Sequence, residues 1–498
     1  MSRRELKPSS LDAALTRRRF LSLTAAGGLG LAAAACSAPA APSPTTAPKP
    51  AATAAPAPAA TTAPAATAAP KPAATQAPVQ AGAAKPFAGV TLNGAMFEHT
   101  FSAIIKSFLP DFEQKTGMKV NLELNAFAVY NQRADLELST KGSSYDFMNI
   151  TLIYSGRWIG AGWFTNLEPY IKDPNKTPKE WDADDFLLNN TQKDSKGERY
   201  GFPWLGEAQV MTVARPDLIE QAGLKLPTTY DELMTVMKAT DGKEGVKGFV
   251  TNKTHHWMWA HFLQGFGGNM FKKPPENLTP ALDTPEAIEA ADWYGNLLRT
   301  YAPDGVISYV DDQMVTAQAQ NRANISMHTL SWTIPLVDPA KSQVANKVKF
   351  AMVPAGPKGL FPGVGSHGLG IPVGAKQKEA AWEFLKWALS KVMIWRMVNE
   401  KNYTSACRKS VINSPDFKKK MTFNGVDVAA LSEQVFNIAD KTGHMVYRTV
   451  PVFPQIGDKV NKAIEVVTTK QMTAAEAMKQ AQAETVADFK KAGIKMDL

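Results

Sequence analysis

Several aromatic side chains lie beside glycines, prolines or predicted strand ends, where a ring is free to face a binding site. The chain has 11 tryptophans. The aromatic residues placed in this way include Tyr154, Trp204, Trp257, Trp259 and Trp332. Flat rings stack on the apolar faces of sugar rings, while polar groups nearby bind the hydroxyls. The pattern favours binding of a carbohydrate-like molecule; for any single tryptophan, packing in a core is the alternative.

A glycine-rich stretch at residues 363–368 has the GxGxxG spacing of dinucleotide-binding loops. That function requires a strand before the glycines and a helix after them. Ile371 and Pro372 follow at once and leave no room for a helix to begin. We therefore predict a turn or strand that passes close to another backbone or to a ligand.

Metal-binding and catalytic motifs are weak or missing. His255, His256 and His261 lack the HExxH spacing, so we predict histidines at a pocket rim or surface, with a zinc site as the alternative. The acidic residues within 180–185 lack the glycine and terminal glutamate of a calcium loop. No serine-hydrolase, P-loop or kinase signature occurs. We expect no cofactor, no bound metal and no catalytic residue.

The net charge of +9 is concentrated near the N-terminus. Residues 1–36 carry +4 and residues 37–86 carry +3, which leaves +2 for residues 87–498. This nearly neutral remainder has no basic stripe with interleaved aromatics, so nucleic acid is not an expected partner. The 2 cysteines exclude a disulfide scaffold.

The first 86 residues resemble export and anchoring segments. A basic run precedes a short apolar stretch, which predicts an export signal peptide over residues 1–35; Arg17 and Arg18 resemble a twin-arginine signal. Cys36 resembles the lipidated cysteine of bacterial lipoproteins. Residues 37–86 are nearly all Ala, Pro and Thr, which predicts a disordered tether over 36–86. The protein is then held at the outer face of the cytoplasmic membrane, or in the periplasm, by its N-terminal lipid.

The remainder begins with alternating strands and helices. A short apolar run predicts a strand over 90–97, alternation predicts a half-buried strand over 119–127, and a third strand is predicted over 145–150. Between them, helices are predicted over 101–116, where apolar residues have helical spacing, and over 130–139. This order is typical of an α/β protein with a parallel sheet.

Helices later in the chain carry start signals. Thr229 with Glu232, and Thr473 with Glu476, have the spacing of capping boxes. The apolar spacing over residues 376–398 predicts one long amphipathic helix.

Eight short stretches resemble a known family in their order and spacing. They are residues 97–99, 109–113, 144–147, 161–167, 200–203, 215–218, 227–233 and 380–386. On these stretches the chain resembles the extracellular solute-binding proteins of bacterial ABC importers, in the branch that includes maltose-binding protein and the sugar and polyol binders.

The resemblance implies a type II periplasmic-binding-protein fold, in which two α/β lobes, each a mainly parallel sheet flanked by helices, enclose a ligand cleft. It implies a first lobe of residues 87–205 with 360–407 and a second of 206–359 with 408–498. The chain would cross between the lobes near residues 203–207, 359–362 and 407–411. Such lobes close around the ligand by hinge motion.

The same resemblance implies which residues face the ligand. The candidates are Glu98, His99, Tyr154, Trp204, Glu207, Trp257, Trp259, Trp332, His367 and Arg408. The aromatic rings would stack on the ligand, and Glu98, Glu207 and Arg408 would bind hydroxyls.

The function that follows is capture of a carbohydrate or polyol and its delivery to the membrane subunits of an ABC importer, by a monomer without enzymatic activity. One alternative is a secreted glycoside hydrolase, which needs two carboxylates across the scissile bond. Another is a binder of a polyamine, peptide or metal chelate, with His99, His256 or His367 as ligands.

Overall fold

The computed structural model describes residues 85–498 and confirms the predicted α/β class. Its strands are β1 (Thr91–Phe97), β2 (Lys119–Asn125), β3 (Phe147–Ile150), β4 (Gly201–Val213), β5 (Lys247–Phe249), β6 (Phe271–Lys273), β7 (Asn277–Pro280), β8 (Ala323–Thr329), β9 (Lys349–Ala351), β10 (Val364–Gly370), β11 (Thr422–Phe423) and β12 (Val426–Asp427). The predictions for residues 1–35, for Arg17, Arg18 and Cys36, and for the tether before residue 85 lie outside the described residues.

The helices occupy most of the chain between these strands. They are α1 (Thr100–Thr116), α2 (Phe127–Ser139), α3 (Ser155–Gly160), α4 (Glu168–Lys172), α5 (Pro216–Gln221), α6 (Tyr230–Thr240), α7 (His255–Met258), α8 (Ala260–Gly265), α9 (Pro285–Tyr301), α10 (Asp311–Ala319), α11 (Leu330–Thr333), α12 (Lys378–Ala388), α13 (Lys391–Lys401), α14 (Lys409–Ile412), α15 (Pro415–Lys420), α16 (Val428–Thr442), α17 (Phe453–Thr468) and α18 (Ala474–Lys491). Short 3₁₀ segments cover Leu152–Tyr154, Lys179–Trp181, Asn189–Gln192, Lys243–Gly245, Val306–Ser308, Ile334–Val337 and His444–Tyr447. No helix within residues 85–498 combines the length and the apolar character needed to cross a membrane.

A mixed sheet of eight strands runs through the molecule in the order β2-β1-β3-β10-β4-β8-β5, with β9 beside β4. β1 is parallel to β2 and β3, and β5 is parallel to β8. The long strand β4 is antiparallel to all its partners. Residues 201–208 of β4 pair with β10, and residues 209–213 pair with β8. One strand therefore links the two ends of the sheet.

The helix predicted over residues 376–398 is wrong as a single element. The chain forms α12 and α13, separated at Leu389 and Ser390. The Ser390 hydroxyl accepts a hydrogen bond from the Met393 amide at 3.1 Å and caps a new helix there. The apolar spacing continues across the break, so periodicity alone does not reveal it.

The two predicted capping boxes differ in the structure. Thr473 and Glu476 form the reciprocal pair: the hydroxyl accepts from the Glu476 amide, and the carboxylate accepts from the Thr473 amide. Thr229 accepts from the Glu232 amide at 3.2 Å, but the Glu232 carboxylate accepts from Thr228 instead. The capping box predicted at Thr229 is thus only half formed: the hydroxyl caps the helix, but the carboxylate does not bind the Thr229 amide.

Two hydrophobic cores lie within residues 85–498, and their membership differs in places from the predicted lobe ranges. The first core contains β1, β3 and α1, and also residues 411–445. Phe436 on α16 packs against Gly206 of β4, where an added Cβ atom would lie 3.2 Å from its ring. Because this contact holds α16 on the first core, the chain enters the second core at Tyr447, not at residue 408. Buried residues within 330–350 also join the first core.

Candidate functional site

The centre of the site is the point where β4 changes partner. Glu207 lies opposite Gly365 of β10, one residue before the last β4–β10 pair, and β4 pairs with β8 from Gln209 onward. Its carboxylate accepts a hydrogen bond from the Ser331 hydroxyl at 2.5 Å. Burial raises the pKa of Glu207 above its ordinary value. A partly buried carboxylate with one short bond keeps acceptor capacity for a ligand.

A polar network supports this carboxylate from the second core. The His328 Nδ1 accepts from the Thr329 amide at 2.6 Å, so Nε2 carries the proton and donates to Asp311 at 2.7 Å. Asn252 also donates to Asp311, at 2.5 Å. Burial opposes ionisation of Asp311, but these hydrogen bonds outweigh it and hold the pKa below its ordinary value. The Thr329 hydroxyl then contacts the Ser331 hydroxyl at 3.2 Å, which connects the network to Glu207.

Arg448 brings an unpaired positive charge to the same region. Its exposed fraction is 8%. The guanidinium lies over the Trp257 ring, 4.5 Å from the ring centroid. Its Nε is buried without a hydrogen-bond partner, and within residues 85–498 no carboxylate or carbonyl pairs with the guanidinium. Burial lowers the pKa of Arg448, and its charge in turn affects the pKa values of Glu207 and His367.

A buried cation without a partner is energetically unfavourable, which makes Arg448 a candidate for contact with a ligand. Sequence reasoning missed Arg448, which stands in no motif. The available signal was a single charge within the apolar stretch 445–453.

Aromatic side chains form the first-core side of the site. The Phe97 ring contacts Phe127 and His367, with ring centroids 5.0 and 4.9 Å away. Phe127 is 38% exposed. The His99 Nδ1 caps α1 by accepting from the Phe101 amide at 3.2 Å, and Glu98 beside it is exposed.

The structure brings some of the predicted ligand residues together. Glu207, Trp257 and His367 lie around the β4–β10 pairing and Arg448. Trp332 is 38% exposed next to Ser331. Tyr154 is half-buried and stacks on Trp158, with centroids 5.2 Å apart.

Three predicted ligand residues are fully buried instead. Trp259 lies in the second core, and the Trp204 indole donates to the Gly368 carbonyl at 3.1 Å. Arg408 has an exposed fraction of 0% and lies in the first core, 4.0 Å from the Phe186 ring centroid. Its guanidinium donates to Asp185 at 3.1 Å and to the Leu389 carbonyl at 2.7 Å. These bonds and its full burial place Arg408 in the packing of the first core, with only Nη2 left without a hydrogen-bond partner among the described residues.

Buried histidines around the site predict a loss of stability in acid. Burial lowers the pKa to about 4 for His99 and His255, and to about 3 for His256, His261 and His444. In the unfolded chain the ordinary value of about 6.5 returns, so the unfolded state binds more protons as the pH falls from about 6.5 to about 3.

We expect the free energy of unfolding to drop by at least about 2 kcal/mol between pH 7.5 and pH 5, the contribution of one such histidine. Urea unfolding at the two pH values measures it. His255→Leu, which removes a ring with no hydrogen-bond partner in residues 85–498, should reduce the difference. Equal pH dependence in both proteins would contradict the assignment.

No group of three or more His, Cys, Asp or Glu side chains in the described part of the chain is arranged to hold a metal ion. Instead, two cores are joined by a shared strand, and charged and aromatic side chains lie where that strand changes partner. This arrangement is that of a two-lobed solute-binding protein.

Comparison with known proteins places the chain in a family. Residues 98–393, more than half of the chain, match the family model of bacterial extracellular solute-binding proteins. The chain belongs to this family.

Similar proteins bind polyols. A mannitol-binding protein of Pseudomonas aeruginosa is 26% identical over 436 residues, which are 82% of this chain and 93% of that protein. An erythritol/L-threitol-binding protein of Mycolicibacterium smegmatis is 22% identical over 66% of this chain and 72% of that protein. The structure of an ABC transporter solute-binding protein from Agrobacterium radiobacter in complex with ribitol is 28% identical, with a TM-score of 0.70 over 80% of this chain and 99% of that one.

Proposed function

We propose that the protein captures a polyol or a small sugar in the cleft between its lobes and delivers it to an ABC importer. Relatives that bind mannitol, erythritol and ribitol support the ligand class. The observation that carries the proposal is the buried guanidinium of Arg448, which is unpaired among the described residues and acts on Glu207.

Hydroxyl groups suit this pair of charges. The Arg448 charge acts on the Glu207 carboxylate, and within residues 85–498 the two groups form no salt bridge with each other, so both can bind a ligand. A hydroxyl accepts a hydrogen bond from a guanidinium and donates one to a carboxylate, and a neutral polyol offers several hydroxyls at once. A polyamine would instead place a second cation beside Arg448, which charge repulsion disfavours.

Capture would occur by closure of the two lobes about the strands that join them. Closure is driven only by ligand contacts that exist in the closed state and not in the open one. Arg448 enters the second core from the segment after residue 445, while His367 lies on β10 against the first core. A ligand that contacts both would favour the closed state.

The proposal includes location and partners. We infer export by the twin-arginine signal at Arg17 and Arg18, lipidation of Cys36, and a monomer tethered beside its importer, where tethering raises the effective concentration. We also infer binding without turnover, because the family is one of binding proteins.

A thermal-shift panel tests the ligand class. D-Mannitol, ribitol, erythritol, D-tagatose and maltose are compared with spermidine and a dipeptide. A ligand at 100 times its Kd adds about 2.7 kcal/mol to the free energy of unfolding, so a polyol or sugar is expected to raise the melting temperature by a clearly measurable amount. A shift with spermidine or the dipeptide, and none with any polyol or sugar, would overturn the proposal.

A further inference from the structure

Most of the glycine-rich motif at residues 363–368 lies in β10, with Gly363 immediately before the strand, and it does not form a phosphate-binding loop. Gly363 and Gly365 do not have positive φ angles, so the backbone there does not require glycine. Alanine is generally the more stable residue in a strand interior. The reason for glycine at these positions must therefore be the neighbouring side chains that a Cβ atom there would meet.

Glu207 lies against Gly365. A Cβ atom added at Gly365 would be 2.8 Å from the Glu207 Oε2 and 3.2 Å from its Cβ. Separations below 3.0 Å force something to move, and the mobile partner here is the end of the Glu207 side chain. The missing side chain at residue 365 thus decides where the carboxylate lies.

A side chain at Gly363 would likewise collide with two neighbouring side chains, Gln209 and Trp257. A Cβ atom there would be 2.2 Å from the Gln209 Oε1 and 3.2 Å from the Trp257 ring. Gln209 is held firmly, because it accepts from the Gly363 amide at 3.1 Å and donates to the Met327 carbonyl at 3.1 Å. Trp257 in turn supports the Arg448 guanidinium.

We infer that Gly363 and Gly365 are positioning residues of the binding site: the absence of side chains on this face of β10 lets Glu207 and Trp257 take the positions from which they meet the ligand. The inference rests on the proposed function for the identity of the ligand. The motif that resembles a nucleotide loop is, in this protein, a stretch of backbone whose missing side chains leave space for the Glu207 carboxylate and the Trp257 ring.

The test is Gly365→Ala, with the Kd measured by calorimetry for the polyol or sugar that the wild type binds. We expect binding weaker by about tenfold or more, the size of one lost charged hydrogen bond. Gly160→Ala is the matched control, because a Cβ atom at that helical position has no neighbour within 4 Å. It should leave affinity unchanged. Unchanged affinity in Gly365→Ala would overturn the inference.

A double-mutant cycle separates positioning from a general structural effect. In a Glu207→Gly background, which removes both the carboxylate and the Cβ atom, Gly365→Ala should cause no further loss of affinity. The urea midpoint gives a readout that needs no ligand: Gly365→Ala should lower it in the wild type and leave it unchanged or raise it in the Glu207→Gly protein. Equal effects in both backgrounds would overturn the inference. Failure of the wild type to bind any polyol or sugar would instead count against the proposed function.

Discussion

Arg448→Met is expected to weaken binding of the polyol or sugar by at least about 30-fold without lowering the stability of the fold. A hydrogen bond to a charged group is worth about 1.5–3 kcal/mol, so losing the bonds that the guanidinium donates to two ligand hydroxyls exceeds about 30-fold in affinity. Methionine keeps the packing over the Trp257 ring, 4.5 Å below the guanidinium, but has no donor for a hydroxyl.

The stability of the Arg448→Met protein without ligand should stay the same or increase, although its affinity falls. In the protein without ligand, Arg448 has a buried charge with no pairing group among the described residues. Replacing buried charges by apolar groups of similar volume is often neutral or stabilising by about 1–4 kcal/mol. We therefore expect an equal or higher urea midpoint together with the lost affinity. Binding within threefold of the wild type, or a fold destabilised as much as affinity falls, would contradict the role of Arg448.

Arg408→Met is expected to give the reverse result: a loss of about 3–5 kcal/mol in stability, with the affinity of the folded protein unchanged. Arg408 is buried like Arg448, with an exposed fraction of 0% against 8%, but its guanidinium donates to the Asp185 carboxylate at 3.1 Å. Removing one partner of a buried ion pair leaves the other charge uncompensated, and losses of this size follow. Urea unfolding and calorimetry at a temperature where the variant is folded measure the two effects.

Arg408→Lys is the milder companion variant for the case in which the methionine protein does not fold. It keeps the positive charge near Asp185 and gives up the hydrogen bonds to the Leu389 and Asp182 carbonyls. A smaller loss of stability is expected. Weakened binding in folded Arg408→Lys would contradict the placement of Arg408 outside the site.

Local structure was largely predictable because it depends on neighbours in sequence. The first five elements lie within about three residues of their predicted bounds, since apolar spacing records which face of a strand or helix is buried. The helix predicted over residues 376–398 failed where the cap at Ser390 interrupts an unbroken apolar pattern. The packing of Phe436 against Gly206 could not be predicted, because it joins segments about 230 residues apart.

The site was predictable only in part. Aromatic type and local context drew attention to Trp257 and Trp332, and the family resemblance to Glu207. Asn252, Asp311 and His328 were not found, because each is an ordinary polar residue until the fold brings the three into one network.

The two buried arginines show which properties the sequence determines and which only the tertiary structure decides. Sequence alone determined the charge distribution, the periodicity of the elements, the likeness to a family of solute binders and the presence of an arginine at positions 408 and 448. From the sequence, Arg408 was predicted to be a ligand residue and Arg448 was not. Only the tertiary structure decided that Arg408 has a carboxylate partner in the first core and that Arg448, beside Trp257, has none among the residues the structure describes. The reason is physical: the free energy of a buried charge is set by the groups that surround it in space, and those groups come from distant parts of the chain.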